Sequence, residues 1–162
     1  MDLLDRLLGH DDWATVQLLE LSRGLTDAQL DQELDIGLRT LRATLEHMIF
    51  YVAFWTGLMA VQPVDGQRDD RSLAGLIDRH DRSYAAFATL ARRVRDEQRL
   101  DDTFVDHFGS QMTFGGAILH VALHNAEHRV EALHILGRLG VPDLPEVDHG
   151  LWDFARRGLL TD

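Results

Sequence analysis

The apolar residues of this chain recur at the spacing of one helix face, over segments far longer than a strand. Leu41, Leu45, Met48, Val52 and Trp55 follow one another at steps of four and three, which stacks them on a single stripe. Leu73, Leu76, Ile77, Tyr84, Phe87, Leu90 and Val94 do the same further on, with Asp78, Arg79, Arg82, Arg92, Arg93 and Arg95 on the opposite, charged face. Leu3, Leu4, Leu7, Leu8, Trp13, Val16, Leu18 and Leu19 repeat the pattern near the start. Such stripes are buried by packing helix against helix. The expected class is therefore all-α, a four-helix bundle with a short C-terminal helix.

Punctuation sets the expected limits. Helices are placed over about 2–23, 38–61, 70–98 and 113–139, with a last short one over about 148–157. Gly24 ends the first, and Thr26 to Gln29 has the spacing of a capping box that opens a short turn. Pro63, Asp65 and Gly66 end the second and form a loop. Thr113 is the expected N-cap of the fourth long helix, and Gly140-Val141-Pro142 closes it. Residues 101–112, with Thr103, Phe104, Val105 and Phe108 around Gly109-Ser110, read as a small hairpin or an irregular loop. No linker or repeat divides the chain, so residues 1–162 are expected to form one domain.

Composition removes whole classes of chemistry. The 162 residues include no cysteine, which excludes disulfides, thiolate ligands and a cysteine nucleophile. All sixteen basic residues are arginine, so no lysine can form a Schiff base. A formal net charge of −11 repels phosphate backbones and anionic headgroups, leaving nucleic acid and membrane as poor partners. The opening residues lack the pattern of a signal peptide, and the most apolar run, residues 48–61, is shorter than the roughly 20 residues a bilayer span needs. The expected location is the cytoplasm.

Histidine is abundant, with nine in the chain. His124 and His128 stand one helical turn apart, about 6 Å along the axis, close enough to share one metal ion. His120 and His128 are separated by about 12 Å of rise and cannot both reach an ion bound at about 2.1 Å. A third ligand must come from another element. His47, among Leu45, Met48, Ile49 and Val52, ranks first, followed by His120 in place of one member of the pair, and then His107. His80 lies between charged residues and reads as solvated, and His10 stands beside Asp11-Asp12. Glu131 to His134 fits the E-x-x-H of di-iron bundles, but the second copy and the further glutamates are missing.

Two stretches carry a family likeness. Leu38-Arg39-Thr40-Leu41-Arg42-Ala43-Thr44-Leu45-Glu46-His47 resembles the helix that brings the first histidine of the DinB/YfiT-like metalloprotein superfamily. His120-Val121-Ala122-Leu123-His124-Asn125-Ala126-Glu127-His128-Arg129 resembles its H-x-x-x-H-x-x-x-H-R-G-Q signature, and Leu136-Gly137-Arg138-Leu139-Gly140 its usual ending. The resemblance implies a DinB-like four-helix bundle, often a homodimer, with a divalent metal held by three histidines, here His47, His124 and His128. It also implies kinship with enzymes that use low-molecular-weight thiols, the bacillithiol S-transferases and the mycothiol-dependent maleylpyruvate isomerases among them. Val130-Glu131 stands where the signature has Gly-Gln; this departure spares the ligands and falls on the groups around them.

Three neutral imidazoles leave the charge of a divalent ion uncompensated and favour an anion at its open position. Zinc or nickel suits an all-nitrogen site best. The expected function is a metal-dependent transfer of a small thiol, of the bacillithiol or mycothiol type, to a small electrophilic substrate. Metal-assisted hydrolysis and non-catalytic binding of a metal or small ligand during stress are the alternatives. Arg129 is a candidate for orienting an anionic group, and Glu127 or Glu131 for holding a ligand imidazole by its second nitrogen.

Overall fold

Each long stripe forms the helix expected of it, and the ends are set by side chains that satisfy the first exposed N–H groups. The computed structural model describes residues 1–63 and 70–159. Its elements run α1 (Leu3–Leu21), a 3-10 turn (Ser22–Gly24), α2 (Asp27–Leu30), α3 (Leu41–Ala60), α4 (Leu73–Asp96), β1 (Thr103–Val105), β2 (Gln111–Thr113), α5 (Phe114–Arg138) and α6 (His149–Arg156). The class is mostly helical with a short C-terminal helix, as the periodicity requires. Among the described residues no helix is long and apolar enough to cross a membrane.

The local signals explain most boundaries. Asp2, Ser72 and Asp148 each accept a backbone N–H at the start of α1, α4 and α6. Thr26 and Gln29 form the reciprocal capping box of α2. Thr113 ends β2 and caps α5 through the Gly116 N–H at 3.0 Å. The hairpin alternative holds for 101–112: β1 and β2 pair antiparallel, with Phe104 opposite Met112. Asp106 ties its turn by accepting from the Phe108 and Ser110 N–H groups, both at 2.8 Å.

The start of α3 differs from expectation by three residues. Arg39 takes a left-handed conformation (φ 73°), and its N–H and carbonyl close a loop with Ile36 and Leu34, each at 2.7 Å. Helix begins only past Thr40, whose hydroxyl accepts from the Ala43 N–H at 3.0 Å. At the other end the turn is made by Val61 at φ 53°, with Gln62 N–H donating back to the Gly57 carbonyl at 2.9 Å. A β-branched residue seldom adopts this conformation, so Val61 itself does not announce the turn, although the helix ends within one residue of the expected limit. Pro63 follows, while Asp65 and Gly66 lie outside the described residues.

The chain divides into two compact units, residues 1–45 with 126–162, and residues 46–125. Both boundaries fall inside unbroken helices, α3 and α5. In the first unit α6 docks on α1: Trp152 is buried, and any side chain at Gly9 would collide with its ring. Arg6 adds an ion pair with Asp153 at 3.1 Å. Asp11 and Arg129 form a buried ion pair at 2.5 Å in this unit. In the second unit the core gathers Met48, Val52 and Trp55 of α3, Phe87 and Leu90 of α4, and Ile118 and Val121 of α5.

His10 donates from Nε2 to the Val147 carbonyl at 2.9 Å, and its ring lies 5.5 Å from that of His149. Burial depresses its pKa below the usual histidine value, more than the Val147 hydrogen bond raises it; Arg129 and His149 push the same way and Asp11 opposes. Below about pH 6.5 the unfolded chain therefore binds a proton before the native chain does, and stability falls as pH drops through that window. His10→Gln keeps a donor for Val147 and cannot titrate. It is expected to lose less stability than the parent between about pH 7.5 and 5.5, read by urea denaturation at both values.

Candidate metal centre

His47 sits in α3 and His124 in α5, and the second unit brings them together. Their Nε2 atoms are 3.0 Å apart, with ring centroids at 4.9 Å. Because α5 continues without a break, His128 follows one turn after His124 on the same face. One ligand atom from each of His47, His124 and His128 lies within 4.8 Å of the others, and all three side chains are half-buried. Among the described residues this is the group with metal-ligand geometry.

Glu131 fixes the third ring. Its Oε2 accepts from His128 Nδ1 at 2.7 Å, across one turn of α5. A carboxylate accepts and does not donate, so Nδ1 carries the proton and Nε2 is the nitrogen His128 offers to the cluster. Behind the carboxylate is Gly37, at φ 43°. A Cβ there would collide with both carboxylate oxygens of Glu131, so a larger residue would have to displace the group that holds His128.

The donor set suits a divalent ion. Two nitrogens bound to one ion at about 2.1 Å stand about 3–3.4 Å apart, and the His47–His124 separation of 3.0 Å matches that spacing. Imidazole nitrogen without thiolate is the ligation of zinc, nickel and their neighbours.

The other histidines are elsewhere engaged. His120 Nε2 is 2.6 Å from the Tyr51 hydroxyl and does not join the cluster. His107 is exposed beyond β1 and sits edge-on to Phe54 and Trp55. His80 is only 1% exposed, a correction to the solvated environment its charged neighbours suggest. It lies on the stripe of Leu76 and Tyr84 at steps of four, and helical phase outweighs the neighbouring residues. Arg129, next to His128, is buried with its guanidinium on Asp11. Glu127 is exposed.

The sequence profile of the DinB superfamily matches residues 10–132, a stretch that contains all three clustered histidines. The chain belongs to the DinB superfamily. No curated protein and no solved structure gives a significant match. In this DinB protein the matched stretch also spans Glu131, the carboxylate that accepts from His128.

Two residues escaped sequence reasoning. Tyr51 stacks on His124, with centroids 3.5 Å apart and planes 8° from parallel. Its position four residues after His47 was the available signal, masked because an aromatic in an apolar helix reads as core. Gly37 was also missed, since nothing local tells which carboxylate its loop approaches.

Proposed function

We propose that this DinB protein binds a divalent ion, zinc or nickel, through His47, His124 and His128, and uses it to transfer a low-molecular-weight thiol to a small electrophilic substrate. The observation that carries the reading is the convergence of three imidazole nitrogens, one of them anchored by Glu131, in a chain with no sulfur nucleophile of its own. A divalent ion held by neutral imidazoles supplies the positive charge that promotes ionisation of a thiol or water bound to it. The chain's part is to present Nε2 of His128 in a fixed tautomer, through Glu131, and to hold the three rings in register before the ion arrives. In the transfer the thiol gives up its proton to solvent, its sulfur bonds to the electrophilic carbon, and the leaving group departs with its electron pair. The protein acts as a homodimer in the cytoplasm, where small thiols stay reduced.

Incubating the zinc-loaded protein with an electrophile, with and without bacillithiol or mycothiol, tests the reading. Turnover is expected only when both metal and thiol are present. Turnover without thiol assigns the site to hydrolysis, and metal retention without any turnover assigns it to binding alone.

A further inference from the structure

His120 begins the run of histidines at every fourth position on α5, yet it is not part of the cluster. Its Nε2 meets the hydroxyl of Tyr51 at 2.6 Å. Tyr51 stands one turn after His47 on α3, with the two rings 5.6 Å apart, and lies flat on His124 at 3.5 Å. Trp55, buried one turn further along α3, meets Tyr51 edge-on at 6.0 Å and His120 at 5.2 Å. All of these residues belong to the second unit.

A histidine's terminal torsion is broad, so its own rotamer preference does not fix the plane of the ring. An imidazole ligand must nevertheless aim its nitrogen lone pair, which lies in the ring plane, at the ion. A parallel ring at 3.5 Å blocks rotation out of that plane on one side. Tyr51 can do this only if it is itself held, and its hydroxyl on His120 together with Trp55 at its edge holds it.

We propose that Tyr51, fastened by His120, is a positioning residue that sets the plane of the His124 imidazole and thereby preorganises the metal centre. His128 is oriented by Glu131 and His124 by Tyr51, so two of the three ligands have a partner that fixes the ring. His120 serves the centre through Tyr51 and not as a ligand. The inference rests on the reading of the cluster as a metal site, and its test separates the two.

Full-length untagged protein is titrated with zinc against a chromophoric chelator, and the visible spectrum of the cobalt(II)-loaded form is recorded. Tyr51→Leu removes both the stack and the hydroxyl. It is expected to weaken zinc binding about tenfold, the lower end for groups that orient a ligand, and to change the cobalt band. Tyr51→Phe and His120→Phe each keep a ring and delete one end of the same hydrogen bond. Each is expected to weaken binding about threefold, and the double variant no more than either single one, the signature of a shared interaction. Loss confined to thermal stability, with zinc affinity and the cobalt spectrum unchanged in Tyr51→Leu, overturns the inference and leaves the metal reading standing. Additive losses in the two phenylalanine variants do the same, and they decide the matter alone if Tyr51→Leu does not fold by circular dichroism. If the parent protein binds neither zinc nor cobalt, the metal reading fails and the positioning role fails with it.

Discussion

Replacing His124 by alanine is expected to lower zinc affinity by about a hundredfold or more, since removing one of three nitrogen donors takes away a large share of the binding free energy. His124 is the ring at the centre of the arrangement: its Nε2 is 3.0 Å from that of His47, and His128 depends on the same helix for its place. His47→Ala and His128→Ala are expected to fall in the same range. Glu131→Gln is the informative control, because the glutamine carbonyl still accepts from His128 Nδ1 and only the charge is lost. Its expected cost is about tenfold, that of a group oriented behind a ligand. Chelator competition gives the affinities. Thermal shift gives an independent readout, since an ion that binds only the folded chain raises the melting temperature with concentration. Alanine at any of the three ligands should abolish the zinc-dependent shift and leave the helical signal intact. A shift that survives His47→Ala and His128→Ala alike would mean that zinc binds somewhere else.

The helices and the clustered histidines of α5 were legible for one reason: both depend on local periodicity. Leu41, Leu45, Met48, Val52 and Trp55 share a stripe whatever they pack against, and His124 and His128 face the same way on any helix. His47 was ranked as the third member from its apolar surroundings, and its ring lies within the same cluster as His124 and His128. What stayed hidden was non-local or non-standard. Arg39 turns the chain in a left-handed conformation usually taken by glycine, so α3 begins without a marker, whereas its end was placed within one residue. For residues 101–112 the hairpin was one of two readings, and choosing it required knowing that Phe104 finds Met112. Tyr51 and His120 are separated by 69 positions, and nothing on either helix alone announces the bond. Asp11 offered a weak signal, for it lies in phase with Leu8, Ala14 and Leu18 on the buried side of α1, but its partner lies 118 positions away.

That partner makes Asp11 the position where a single substitution is expected to harm folding most. Asp11 and Arg129 are 1% and 5% exposed, and the carboxylate and guanidinium meet at 2.5 Å. Asp11→Ala leaves a buried cation without its counter-charge, which costs about 3–5 kcal/mol, a large part of the roughly 5–15 kcal/mol that holds a domain folded. For a chain of this length the melting temperature should fall by about 10 °C. Asp11→Asn keeps the shape and a hydrogen-bond acceptor, so its loss should be smaller. The double variant Asp11→Leu with Arg129→Met removes both charges and fills the space with apolar atoms. It is expected to recover most of the stability, because the penalty lies in stranding one charge more than in lacking the pair. Urea denaturation of these proteins measures this, and adding the single variants Asp11→Leu and Arg129→Met closes the double-mutant cycle that gives the coupling. Zinc affinity measured on the same samples tells whether the pair serves the fold alone: with His128 held by Glu131, the folded double variant should bind zinc within about threefold of the parent, since Arg129 is no ligand and its charge is already matched by Asp11.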